Sequence, residues 1–469
     1  MSTAFEEIMA VRGRGMPERG EVTIVGTDPV LATRFKIAET CAAAVAAVGV
    51  AVSDIWELKT GRRQKVTVDA RLAAAGLRSS AYIQRPGPDG VFKNVVNEGH
   101  EAMRRMTQPW PTRDGRWFLP HFGLPNLKAK VLNVLRCEPN PPAVAKAVSG
   151  WNALDLEAAI DEARACGAMV RTNTEWLAHA HGQMLLKKPV VEIIKLADSD
   201  PKPLPNEPLP NGPRPLSGIR VLDLTRILAG PMSARTLAEH GAEVLMVTAE
   251  RLPQIPEHVI DTNHGKRSTF LDLTRADDAA RLKALVKDAD VFSQGYRPGA
   301  LAKLGFAPEE LAALRPGLIY VSISCFGADG PFSHRAGWEQ VAQTVTGILN
   351  DGKPDRPALL PGAACDYTTG YLAAYGTLLA LARRAREGGS YHVRVSLCRS
   401  GMMIYRQGKL DDVVADLDLS PEELDRMRIE SHPKSGPLRH LGPAVQLSET
   451  PPRWERPTPV FGGDAAAWV

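Results

Sequence analysis

Gly218-Ile-Arg-Val-Leu-Asp-Leu-Thr-Arg-Ile-Leu-Ala-Gly-Pro231 opens with an apolar run too short for a helix and ends in a Gly-Pro pair. It reads as a buried strand, Gly218 to Leu224, followed by a turn at Gly230-Pro231. Working outward, a helix over Ser233–Gly241 leads to a strand over Ala242–Val247, and a helix over Asp278–Asp288 to a strand over Ala289–Ser293. A third helix, Pro308–Leu314, precedes the strand Leu318–Ser324. Strands alternating with short helices indicate βαβ units, hence an α/β fold with a parallel sheet covered by helices on both faces. Such sheets bind ligands beyond the carboxyl ends of their strands, which brings Thr225–Pro231, Gln294–Lys303 and Cys325–Pro331 around one crevice.

The stretch Asp200-Pro-Lys-Pro-Leu-Pro-Asn-Glu-Pro-Leu-Pro-Asn-Gly-Pro-Arg-Pro215 forbids helix and reads as an extended spacer. Upstream, Leu31–Glu57 is an Ala/Val-rich helix expected to be interrupted at Gly49, and Lys65–Asp69 alternates as a strand. The same order returns late in the chain as the helix Gly370–Arg383 and the strand Tyr391–Ser396. Aligning Val66 and Val68 with Val393 and Val395 sets an offset of 327 residues and defines an internal repeat. Gly115 to Gln183 reads as a smaller α+β unit containing an amphipathic helix over Ala143–Met169, and Pro433–Val469 as an extended surface segment.

Composition bounds the function. The chain has 469 residues, 44% hydrophobic and 23% charged, enough for two or three domains with sizeable cores. Its net charge of +4, from 57 basic and 53 acidic residues, gives no reason to expect a nucleic-acid partner. Six scattered cysteines without a C-x-x-C pair suggest neither zinc nor a disulfide framework. The N-terminal residues lack an apolar leader and no run of about 18 uninterrupted apolar residues occurs, so a cytoplasmic protein without a membrane span is expected.

Asp366 stands in the small-residue run Gly362-Ala-Ala-Cys-Asp366, just before an apolar helix. Such a carboxylate can attack an activated acyl group, or it can simply cap the helix. From local sequence both remain open. His179-Ala-His181 has the spacing of a strand-borne metal pair but lacks a third ligand nearby and reads as a structural pair. Gly265-Lys-Arg-Ser268 lacks the upstream glycine of a phosphate loop.

Six motifs in order carry a resemblance: Pro215–Pro231, Gly265–Leu273, Tyr296–Leu301, Ser322–Pro331, Gly337-Trp-Glu-Gln-Val-Ala-Gln343 and Asp366-Tyr-Thr-Thr-Gly370. Residues 216 to 406 resemble the family III CoA-transferases, which include formyl-CoA and carnitine CoA-transferases and α-methylacyl-CoA racemases. Trp56–Ala70 and Asp114–Trp117 are similar to a later portion of the same family, so the order is rearranged. The resemblance implies a Rossmann-like CoA-binding domain over 216–406 and a small α+β domain over 81–199. These join a helix–strand segment over 1–80, the linker 200–215 and a C-terminal extension over 407–469.

By position, the resemblance makes Asp366 the nucleophile and puts CoA against Leu228, Ala229, Leu271, Asp272, Gly295, Tyr296, Arg297 and Lys303, with Trp338 and Glu339 near the acyl group. It implies acyl-CoA and carboxylate substrates, no permanently bound cofactor, no metal, and an interlocked homodimer. Under the repeat offset Glu39 stands where Asp366 does, so one aspartyl site is expected rather than two. Trp338 replaces the histidine base of the racemase branch, and Ala249 falls where some members place an arginine on CoA. A non-catalytic acyl-CoA-binding protein and a racemase-type isomerase are the alternatives.

Overall fold

The structure, a computed structural model, describes residues 2–205, 212–353, 355–411 and 416–469. The centre of the Pro-rich linker, 206–211, and residues 412–415 of the C-terminal extension therefore lie outside the described residues.

Seven strands form the main sheet: β1 (Glu192–Ala197), β2 (Arg220–Leu224), β3 (Glu243–Thr248), β4 (Lys266–Phe270), β5 (Val291–Gln294), β6 (Ile319–Ser324) and β7 (Ser390–Ser396). Their order is β4-β3-β2-β5-β6-β7-β1. All neighbours are parallel except β7 and β1. The six parallel strands follow the doubly wound order, and the direction of winding reverses between β2 and β5. Ligand crevices open at that reversal, beyond the carboxyl ends of the strands.

The quoted opening stretch forms β2, a sharp turn, and the helix α2 (Ala229–Glu239). The helix thus begins before the Gly-Pro pair rather than after it. Pro231 is tolerated because the first helical turn has no internal partners for its N–H groups. Gly230 is needed because a Cβ there would meet Thr225 Cβ at 2.3 Å.

The internal repeat is visible in the fold. Helices α1 (Ile37–Thr60) and α3 (Ala364–Glu387) are both 24 residues long and start and end 327 residues apart. They pack against each other in one shared core. Gly49 does not interrupt α1: it marks the close approach of the strand Val66–Asp69, where a Cβ would meet Val66 Cγ1 at 2.4 Å. The length and composition of α1 would allow it to cross a membrane, yet 89% of its most apolar stretch is buried inside the fold.

Two expectations fail locally. Ala143–Met169 is not one helix but two, Pro141–Val148 and Ala153–Glu162, then the strand Gly167–Met169, because Gly150-Trp-Asn152 breaks the run. They pack around their own core of Phe118, Val131, Val144, Leu156 and Ile160. The stretch after Pro433 is more than a surface strap: Leu438–Leu441 and Val445–Leu447 are strands, the latter paired with Val66–Asp69. Its last residues bond along the β4 edge through Ser268 and Asp464.

Candidate active site

The turn between β2 and α2 is fixed from below. Lys266 on β4 and Asp223 on β2 are both fully buried and pair at 2.7 Å. Lys266 Nζ also donates to the Pro231 carbonyl at 2.8 Å, while Asp223 Oδ1 accepts from Thr225 N–H at 3.0 Å. Held this way, Ile227 takes a φ of 75°. For a β-branched residue that left-handed conformation is strained, and the strain persists because its surroundings over-determine it. The turn brings the backbone N–H of Ala229 near the Asp366 carboxyl.

Asp366 sits in the first turn of α3 and is 8% exposed. It does not cap the helix. That role belongs to Glu339, 4% exposed, whose carboxylate accepts from Cys365 N–H at 3.1 Å and Asp366 N–H at 2.5 Å. Gln343 Nε2 adds a third donor at 2.6 Å. The repeat preserves this device: the Asp28 carboxylate accepts from Ala38 N–H at 3.2 Å and Glu39 N–H at 2.9 Å, the positions that match Cys365 and Asp366.

Two buried carboxyl groups therefore face each other unequally. Burial and then the Glu339 charge push Asp366 well above the usual carboxylate range, opposed by the Ala229 N–H. Burial also raises Glu339, but Gln343 and two backbone N–H groups hold its charge. Glu339 is the ionised member and Asp366 keeps the proton. Nearby Cys325 and Cys365 are pushed up by burial, so both remain thiols and offer no competing nucleophile.

Asp366, Glu339, Trp338 and Leu228 line one cavity of about 370 Å³. The same cavity is lined by residues far upstream, among them His100 and His121, and by Glu257 and His258. The His121 ring packs on Trp338 with centroids 4.7 Å apart. Its Nε2 meets Gln340 Oε1 at 2.9 Å and its Nδ1 accepts from Gly123 N–H at 3.1 Å. Burial lowers it to about 4, so it is a neutral, fully engaged ring rather than a base.

The remaining candidates lie outside this cavity. Leu271 and Asp272 follow β4, and Asp272 is engaged by Arg251 at 2.7 and 2.9 Å. Gly295, Tyr296 and Arg297 follow β5, with Arg297 donating to the Arg164 carbonyl at 3.3 Å. Lys303 is exposed in a short turn over Ala302–Leu304. Tyr296 borders a separate cavity of about 150 Å³ with Gln294, Ser322 and His392. These residues share the strand ends, where fixed cations and backbone donors suit phosphates. His181 is engaged structurally, with Nε2 2.7 Å from the Phe326 carbonyl and Nδ1 accepting from Phe332 N–H at 3.1 Å.

Residues 216–422 match the family described as CoA-transferase family III. Over 316 residues the chain is 35% identical to an acetyl-coenzyme A transferase of Hypoxylon pulicicidum, covering 62% of this chain and 53% of that protein. It is 35% identical over 211 residues to a succinate–glutarate CoA-transferase of Agrobacterium fabrum, covering 40% of this chain and 52% of the relative. A solved CAIB/BAIF family protein from Brucella suis is 33% identical over 40% of this chain and 55% of its own, with a TM-score of 0.38. The chain spans about half the length of these curated relatives.

Proposed function

We propose that the chain, whose residues 216–422 match CoA-transferase family III, moves CoA from an acyl-CoA donor to a carboxylic acid through Asp366. The observation that carries the reading is a buried aspartate, unneeded as a cap, that borders a cavity and has a backbone N–H from a second helix N-terminus beside it.

In the proposed cycle Asp366 first releases its proton to solvent; its carboxylate then attacks the thioester carbonyl and the C–S bond breaks, leaving a mixed anhydride and CoA thiolate. The thiolate then attacks the aspartyl carbonyl, which releases the first carboxylic acid as its carboxylate and forms an aspartyl-CoA thioester. An acceptor carboxylate attacks that thioester and expels CoA thiolate. The thiolate finally takes the new acyl group and restores Asp366. Each attack on the aspartyl carbonyl puts negative charge on its oxygen, which the Ala229 N–H at the head of α2 is aimed to stabilise. Glu339 holds the first turn of α3 in place and stays out of the bond-making steps.

CoA enters as substrate, with its phosphates against the strand-end loops that bear Arg297 and Lys303. Acetyl-CoA and succinyl-CoA are the donors to test first, given the names of the relatives, and a homodimer is the proposed assembly. Hydroxylamine trapping or borohydride reduction during turnover should mark Asp366. Turnover without any label there sinks the covalent route, and CoA binding without exchange across a panel of donors favours a non-catalytic acyl-CoA-binding protein.

A further inference from the structure

The wall of the cavity built on His100, Asn97 and Glu257 is a polar device that acyl transfer at Asp366 leaves unexplained. The Glu257 carboxylate is 8% exposed and accepts from His100 Nδ1 and, at 3.1 Å, from Asn97 Nδ2. Asn97 also caps the helix Glu98–Met106, with its Oδ1 accepting from His100 N–H at 3.0 Å, so side chain and backbone fix His100 together. His258 packs edge-on to the His100 ring at 5.6 Å between centroids. Burial lowers His258 to about 4 and its Nδ1 has no partner among the described residues, so it backs His100 as a neutral ring.

A carboxylate engaging Nδ1 fixes the tautomer and orientation of an imidazole and leaves Nε2 to serve another group. His100 and Glu257 border the same cavity as Asp366, together with apolar Met103, Ile255 and Leu359. A plain alkyl chain would bury this polar wall without satisfying it, which is costly. The other acidic side chain on that wall, Glu101, is already paired with Arg104 at 2.9 Å.

We infer that His100, oriented by Glu257 and Asn97, is a specificity-determining residue that binds an oxygen function on a short acyl group. The substrate class is therefore short acids carrying a second oxygen group, hydroxyl or carboxylate, rather than unsubstituted alkyl acids. The inference rests on acyl transfer at Asp366 as the reaction, but its test needs no turnover.

The experiment measures binding of butyryl-CoA, 4-hydroxybutyryl-CoA and succinyl-CoA to the full chain by calorimetry, alongside CoA transfer from the same three donors. At least one oxygenated thioester should bind about 10-fold or more tightly than butyryl-CoA, as a hydrogen bond to an oriented imidazole warrants. The hydroxyl and carboxylate arms identify which oxygen function is preferred. In His100→Leu the ratio of dissociation constants should fall to about one, and His100→Gln, which keeps an N–H donor, should recover part of it. Equal binding of all three thioesters by the unaltered chain, or a ratio unchanged in His100→Leu, overturns the inference while leaving Asp366 chemistry standing. Discrimination without any transfer supports the subsite and removes the catalytic reading instead.

Discussion

Replacing Asp366 with asparagine should stabilise the ligand-free protein, and by more the higher the pH. The folded carboxyl is raised above its ordinary value by burial and by the Glu339 charge. A group raised on folding contributes stability that is fully present below its unfolded pKa and is lost as pH climbs through the folded one. Between those two values the unfolded chain has released a proton that the folded chain retains, so this group lowers stability by about 1.4 kcal/mol per pH unit. Asparagine keeps the size and an acceptor for the Ala229 N–H but cannot ionise. The stability difference between variant and unaltered chain therefore widens by the same amount. With an unfolding entropy of about 2.1 cal/mol/K per residue, near 1 kcal/mol/K in all, the two Tm values should separate by about 1.4 °C per pH unit. Thermal scans by circular dichroism from pH 5 to 8 read this directly. Parallel curves would mean that Asp366 ionises alike in both states, and the argument for a charge-opposed, buried pair would fall.

Other outcomes follow from the same geometry. Glu339→Gln removes the facing charge, so the acidic limb of the kcat/KM profile should move to lower pH, and an unmoved limb would separate the two carboxyl groups electrostatically. The same change leaves the head of α3 without an ionised acceptor and should lower stability by about 1–3 kcal/mol in denaturant titration. Ile227→Gly should be about 1 kcal/mol more stable than Ile227→Ala, since both give up the packing of the half-buried side chain and only glycine relieves the left-handed strain, while kcat falls as the turn loosens. Equal stability of the two variants would show that the turn is not strained. Lys266→Met strands the Asp223 charge and should cost about 3–5 kcal/mol, most of it recovered in Lys266→Met with Asp223→Leu. Gly49→Val should cost about 1–3 kcal/mol by forcing α1 off the strand Val66–Asp69.

Much of the parallel sheet was legible because its strands are apolar runs bounded by glycine and its helices are short and regular. Pro308–Leu314 is predicted to the residue, and Ile319–Ser324 differs at one end only. Gly49 misled because a glycine that interrupts a helix and one that admits a strand look alike in sequence, and only the Val66 contact distinguishes them. Ala143–Met169 misled because two amphipathic helices in register imitate one long one. At the site, Asp366, Leu228, Trp338 and Glu339 were named by resemblance, but their contacts with one another were not legible. Glu339 caps a helix that begins 25 residues later, and no local capping pattern spans that distance. His100, His121 and Glu257 line one cavity without any spacing in the chain that joins them.

The pairing of α1 with α3 has a consequence for the newly made chain. Thr60 ends α1 and Ala364 begins its partner, so roughly 300 residues must be synthesised between them. At about 5–20 residues per second, α1 waits some 15–60 s for the surface that buries it. During that interval a helix apolar enough for a bilayer has chiefly its near neighbours Thr3–Met9, Val66–Asp69 and Ala70–Gly76 to cover it. The chain's yield in the cell should accordingly depend on whatever shields α1 in that interval, more than on the stability of the finished fold.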